Sequence, residues 1–480
     1  MSRATCLLTA LTIAAGCTTR SPEQQIVEDA AEALGGRDRI LAIRTLTIEG
    51  EGTNGNLGQD MTPEASSQTF TVSAYRRLVD VAGERFRVEQ TRTPNFSYFQ
   101  GPAPQRQAFG LDADVAYTIA ANGNATRAPG AVARDRRAEF LHHPIMIVRA
   151  ALAAGATLGN ARTFGGEHVV SVTTADGRAF TLATSVDTNL PSRVTSMTSN
   201  ANLGDVATET RFAEYQDVQG TKLPTALTTV IDQYTTATLR VARQAVDADL
   251  GDMAAPAAAA STAAASVPAA PNVVVEEVAP GVWLLAGQSH HSALIEFADH
   301  LTLIEAPQSE ARTLAVIAKA RELRPSKPLT HVVNTHHHFD HSAGIRAAVS
   351  EGLTIVTHQA NAPYFLEAVK RSHSLQPDAL AKTSKPAKVE TVGDGVVYKD
   401  AARTMTLYHV EGSGHGDAIL MAYLPRERVV IAADVAGQPY AVNFLENIRK
   451  RNLRVDRIVP LHGRIGTYQE LEHTAATPSP

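Results

Sequence analysis

The segment Thr335-His336-His337-His338-Phe339-Asp340-His341 constrains this chain more than any other. Without its intervening residues it reads His-x-His-x-Asp-His, four potential metal ligands within six residues, in a chain with 17 His among 480 residues. Imidazole nitrogen and carboxylate oxygen suit a zinc-type divalent ion. Four donors so close in sequence cannot all wrap one tetrahedral ion without strain. They are better shared between two neighbouring ions, as in two-metal hydrolases. Upstream, Leu329 to Asn334 is apolar and β-branched and predicts a buried strand; downstream, Ser342 to Ala348 predicts a helix start. The run therefore falls on a strand-to-helix turn at the carboxyl end of a strand, where open α/β sheets place their sites.

With this motif the carboxyl-terminal part of the chain, roughly Val273 to Thr467, resembles the metallo-β-lactamase superfamily in its broad sense, the αββα metallohydrolase fold. In that family the first motif is followed by a lone His, a lone Asp and a final His, each at a strand end. Here His415 lies in a Gly-rich turn after the strand-like Met405 to Val410, Asp434 follows the apolar run Arg428 to Ala433, and His462 follows Arg457 to Leu461. The resemblance implies one metal on His336, His338 and His415, a second on Asp340, His341 and His462, and Asp434 bridging them. It implies two zinc ions per chain, with iron or manganese as alternatives. It also implies attack by a metal-held hydroxide on a carbonyl or phosphoryl centre, with Asp340 orienting the nucleophile or moving a proton. His337 reads as a filler position behind or outside the ligand shell, and His358 as structural or just outside the ligands.

The family's chemistry is wide, and fold does not choose within it. No cysteine is available as a second-site ligand, which disfavours thiolate-bearing β-lactamases. The bridging Asp434 points toward esterase, lactone-cleaving or phosphodiesterase types. Only 27 residues separate Asp434 from His462, leaving little room for a substrate cap. The leading expectation is a dinuclear zinc hydrolase cleaving an ester, lactone, amide or related bond in a small molecule. A mononuclear iron dioxygenase on the same fold is one alternative. A non-enzymatic envelope lipoprotein carrying an apolar ligand is the other. Within the domain, Gly281 to Leu285 and Ala293 to Phe297 predict paired strands. The loop between them, Gly287-Gln288-Ser289-His290-His291-Ser292, borders the cleft of the resembled fold, so Ser289 or His291 could touch substrate.

A hydrophobic content of 44% and a charged content of 19% describe a globular chain, and a net charge of -5 gives no basic footprint for nucleic acid. The only cysteines are Cys6 and Cys17. Met1 to Arg3 is weakly basic, Ala4 to Ala15 is mostly apolar but too short for a permanent span, and Ala14-Ala15-Gly16-Cys17 resembles a lipoprotein cleavage box, with Ala14 where such boxes usually carry Leu. Residues 1–17 thus read as an export signal. The expected location is the cell envelope, facing the periplasm, with membrane contact only through a lipid on Cys17 in the outer membrane.

The fold class expected is a two-domain chain. A curved antiparallel β-sheet domain with few helices covers 21–250, an Ala/Pro-rich linker 251–272, and the αββα sandwich 273–480. Few contacts should cross that seam. In the first domain a helix is expected at Glu23 to Leu34, stopped by Gly35-Gly36, and a helical stretch at Arg137 to Ala154. Strands are expected at Thr45 to Glu49, Phe70 to Val81, Arg85 to Gln90, His168 to Thr173, Phe180 to Ser185 and Leu227 to Asp232. The segments Phe180 to Val194 and Tyr215 to Thr228 resemble periplasmic lipoprotein-carrier half-barrels. The doublet His142-His143 reads as a helix-surface pair, and no catalytic constellation is expected in this domain, which reads as a scaffold or a pocket for an apolar group.

Overall fold

The computed structural model describes residues 20–65, 68–96, 99, 103–262 and 271–477. The expected signal with Cys6 and Cys17, and part of the expected linker, 263–270, lie outside the described residues.

The amino-terminal part is built on one antiparallel sheet of 13 strands. Two meanders are joined where the first strand, Thr45–Gly55, pairs with the last, Tyr234–Val246. Alternation decides the buried face: in Arg85–Pro94, Phe86 and Val88 are buried and Arg85 and Arg87 less so. Strands such as Pro191–Asn200 and Tyr234–Val246 carry Ser, Thr and Arg instead of a clean apolar alternation, so the sequence hides them. The entering helix, Pro22–Ala33, opens with a capping box between Ser21 and Gln24.

The helical stretch over Arg137 to Ala154 is two helices, Gly130–Leu141 and Pro144–Leu152. Pro144 has no N–H to donate and disfavours helical backbone in the residue before it. His143 is accordingly extended, and its Nδ1 accepts from the Ile145 N–H to cap the second helix. The doublet is therefore not on a helix surface. Both residues are buried, and the ring nitrogens of His142 meet Thr210 Oγ1 at 3.0 Å and Ser196 Oγ at 2.9 Å. Burial lowers the pKa of His142 to about 4 and that of His143 to about 3, so both are neutral at pH 7. Between the sheet and the helix Gly130–Leu141 lies a cavity of about 1090 Å³, whose apolar lining includes Val72, Val88, Phe109, Phe180 and Leu227.

The carboxyl-terminal part is a sandwich of two mixed sheets. The first has seven strands in chain order: Val274–Ala279, Val282–Ala286, Ser292–Glu296, Leu301–Ile304, Leu329–Val333, Thr354–His358 and Val389–Val392. The last four run parallel to one another. The second has six: Gly395–Lys399, Thr404–His409, Leu420–Leu424, Val429–Ala432, Arg457–Pro460 and Gly466–Thr467, with Val429–Ala432 and Arg457–Pro460 parallel. Leu284, Ile295 and Val333 of one sheet share a core with Leu407, Ile431 and Val459 of the other. Helices Glu310–Leu323, Ile345–Ser350 and Ala362–Lys370 close the outer face of the first sheet, and Ala441–Lys450 and Tyr468–Ala476 that of the second. Strands covered on both faces read as continuous apolar runs, which is why these were legible.

The Ala/Pro segment is partly packed: Ala257–Ala260 forms a short helix, and Ala259 is fully buried in a cluster with Tyr117. The expectation of few contacts between the two parts does not hold. Asn202 Nδ2 donates to Ser342 Oγ at 2.8 Å, Arg371 pairs with Asp232 at 2.9 Å, and Ser374 Oγ donates to Asp205 at 2.7 Å. Among the described residues, no helix is long and apolar enough to cross a membrane.

Candidate metal centre

Parallel strands end side by side, so residues far apart in sequence gather at one rim. Leu301–Ile304 delivers Glu305, Leu329–Val333 delivers His336 and His338, Val429–Ala432 delivers Asp434, and Arg457–Pro460 delivers His462. Asp340 and His341 sit on the short helix Phe339–Ser342, and His415 on the loop between Thr404–His409 and Leu420–Leu424. Asp434 and Glu305 have φ of 58° and 74°. Left-handed backbone at such residues costs about 1–3 kcal/mol each and is found where the surroundings over-determine it.

All seven residues expected to bind metal lie in two groups whose donor atoms are within 4.8 Å of one another. One holds His336, His338, His415 and Asp434; the other holds His290, Asp340, His341 and His462. Asp434 touches both. Its Oδ2 is 3.3 Å from His336 Nε2, 3.2 Å from His415 Nε2 and 2.8 Å from His341 Nε2, and its Oδ1 is 2.9 Å from His462 Nε2.

The donor set fits metal. His338 Nε2 lies 2.9 Å from the Asp60 carbonyl, which can only accept, so the ring proton is on Nε2 and Nδ1 carries the lone pair. That Nδ1 is buried and has no hydrogen-bond partner, an orphan costing about 1–3 kcal/mol unless something coordinates it. His341 Nε2 and His462 Nε2 stand 2.9 Å apart, within hydrogen-bonding distance and somewhat closer than the ~3.3 Å two imidazoles take on one tetrahedral ion. Behind them, Glu305 is fully buried; its Oε1 accepts from the Thr335 N–H and its Oε2 lies 3.5 Å from His341 Nδ1. A carboxylate behind a ligating imidazole fixes the ring's tautomer.

Four of the donors stand in their ligating form without an ion, and His341, held protonated by its carboxylate neighbours, would release its proton on binding one. Burial pushes His336 and His338 well below the ordinary histidine value, so both are neutral donors. Burial opposes ionisation of Asp434 and Asp340, but the imidazoles, His341 foremost, outweigh it and hold both carboxyls far below the usual range. For His341 burial is likewise outweighed, by Asp434 and Asp340, and its pKa is raised.

The hairpin loop divides its roles differently from the expectation. His291 bonds the Gly287 N–H through Nδ1 and the Gly463 carbonyl through Nε2, so its ring is used up in holding the backbone. Its neighbour His290 faces the ligands instead, with Nε2 3.0 Å from Asp340 Oδ2 and Nδ1 2.8 Å from Ser289 Oγ. Ser289 also accepts from Gln308 Nε2 at 3.0 Å, so it contacts the site through His290. His337 is buried, and burial lowers its pKa to about 3. His358 caps a turn through the Ala360 N–H and rests against the His409 ring. Sequence reasoning missed His290, Glu305, Gln59 and Asp60. Glu305 had a readable signal, since it ends an apolar run just as Asp434 does. Gln59 and Asp60 had none.

Fold and ligand cluster together define a metallohydrolase-type αββα domain. Residues 286–457 match the family described as the metallo-beta-lactamase superfamily, and the carboxyl-terminal domain of the chain belongs to it, as a metal-dependent hydrolase-type enzyme. Solved structures similar to this chain include TMB-1 (20% identity, 43% of this chain and 96% of that one, TM-score 0.32). Two others are DIM-1 metallo-beta-lactamase (19%, 43% and 96%, 0.33) and a metallo-beta-lactamase from Pontibacter korlensis (17%, 43% and 98%, 0.33). At such identities and scores these likenesses add nothing to the reading of the site. No curated protein matches the chain.

Proposed function

We propose that the protein is a dinuclear zinc hydrolase that cleaves an ester, lactone, amide or related bond in a small molecule. The observation that carries this is Asp434, one carboxylate in contact with both donor groups. His336, His338 and His415 would hold one ion, Asp340, His341 and His462 the other, and Asp434 would join them. Zinc bound there supplies Lewis acidity and a water nucleophile activated near neutral pH. Asp340 keeps its ionised carboxylate at the site, one oxygen held by Gln59 and the other by His290. His290, Ser289 and Gln308 extend from Asp340 as a hydrogen-bonded chain whose donors point toward the carboxylate and fix its orientation.

Export, with lipid attachment at Cys17 and anchoring in the outer membrane, is part of this proposal and rests on the first 17 residues. The boundaries at 21–250, 251–272 and 273–480 are likewise proposed, and they rest on the composition shift. Elemental analysis after equilibration with zinc should give close to two ions per chain. Turnover of activated esters and lactones, with phosphodiesters as the next class, should stop with a chelator and return with zinc. Strict dependence on iron and molecular oxygen, with an inert zinc form, would replace this reading by the oxygenase.

A further inference from the structure

Four consecutive residues of the sheet domain each bond to the ligand-bearing segments of the sandwich. The Gly58 carbonyl accepts from the Phe339 N–H at 3.1 Å, and Gln59 Nε2 donates to Asp340 Oδ1 at 2.7 Å. The Asp60 carbonyl accepts from His338 Nε2 at 2.9 Å, and the Met61 carbonyl from the Asp417 N–H at 2.9 Å, two residues beyond His415. Gly58 has φ of 76°, and a Cβ built on it would stand 2.3 Å from Cγ of Phe339. The loop therefore lies directly against the residue between ligands His338 and Asp340, at a distance only glycine allows.

We propose that the loop Gly58–Met61 is a positioning element of the metal centre, so that the sandwich reaches its full metal affinity only with the sheet domain docked. An isolated imidazole populates both tautomers. A carbonyl at Nε2 selects the one with its lone pair on Nδ1, the atom left without a partner at His338. An amide nitrogen can only donate, so Gln59 occupies Asp340 Oδ1 and leaves Oδ2 to the donor group, where His290 Nε2 bonds it. Loss of such outer partners typically lowers metal affinity about 10–100-fold. Ordinary docking does not require these contacts, since Asn202, Asp205 and Asp232 already join the two parts elsewhere. The inference rests on the metal-binding part of the proposed function and not on the bond cleaved.

The full chain is tested as Gln59→Ala, Gly58→Val and, as an interface control, Asp205→Ala. The readouts are zinc affinity by competition with a chromophoric chelator, the visible spectrum of the cobalt(II) form, and thermal melting. Gln59→Ala should melt close to the parent yet bind zinc about 10-fold more weakly and shift the cobalt bands. Gly58→Val should do the same or more. Asp205→Ala should lower the melting temperature and leave the bands in place. If Gly58→Val does not fold, Gln59→Ala decides. Zinc affinity within twofold of the parent and unchanged cobalt bands in Gln59→Ala overturn the proposal, as does an equal band shift in Asp205→Ala. A parent chain that binds neither ion removes the proposed function as well, a distinguishable failure.

Discussion

The sheet domain and the sandwich treat strand ends in opposite ways. In the 13-stranded sheet every pairing is antiparallel, so neighbouring strands end at opposite rims and each rim interleaves carboxyl ends with amino ends. What the sheet offers is a face, and against it lies the 1090 Å³ cavity. In the sandwich, parallel runs within both sheets bring Glu305, His336, Asp434 and His462 to one edge. Strand direction thus separates a domain that presents a face from one that presents an edge. The loop Gly58–Met61 is where the first reaches into the second.

The largest expected effect tests the sandwich. Asp434→Ala removes the carboxylate common to both donor groups, and turnover should fall by more than about 100-fold with loss of metal. Full activity in that variant would break the assignment of the bridge. Next, His290→Ala should lower kcat by about 10–100-fold, because the buried His290 ring bonds Asp340 and Ser289 and packs against the His462 ring. An unchanged kcat would confine the site to the seven expected ligands.

The third effect belongs to the sheet domain. His142 and His143 have folded-state pKa values of about 4 and about 3, below the ordinary 6.5. The unfolded chain therefore takes up protons first as pH falls. Stability drops below pH 6.5 and stops dropping only near pH 3, by about 2 kcal/mol per residue at pH 5. His143→Asn, whose shorter side chain does not titrate, should flatten that pH dependence of melting between pH 7 and 5. An equal slope in the variant would place the acid sensitivity elsewhere. The smallest effect distinguishes two neighbours. His291→Ala should lose about 1–3 kcal/mol of stability through its orphaned partners, with kcat within about twofold of the parent. A large kcat loss there would return His291 to the substrate.

The expectations that came closest were those where local sequence and burial coincide. Leu329–Val333, Val429–Ala432 and Arg457–Pro460 are apolar because both faces are covered, and the polar residue just past each one stands out against its run. The sheet domain was read less completely, since strands with one solvent-facing side and Ser, Thr or Arg on it resemble loops. His142–His143 shows the same limit: nothing in the sequence says that two polar rings will be enclosed, because Thr210 and Ser196, which bond His142, come from distant strands.

By itself, then, the sequence determined the types and order of the candidate donors, because metal chemistry restricts residue choice within a few positions. The tertiary structure alone decided which hairpin histidine faces Asp340, that Glu305 stands behind His341, and that Gly58–Met61 backs the ligands. Each of these depends on a contact between residues dozens to hundreds of positions apart. No periodicity or motif encodes such a contact, because it exists only once packing has set the relative placement of the two sheets and the two domains.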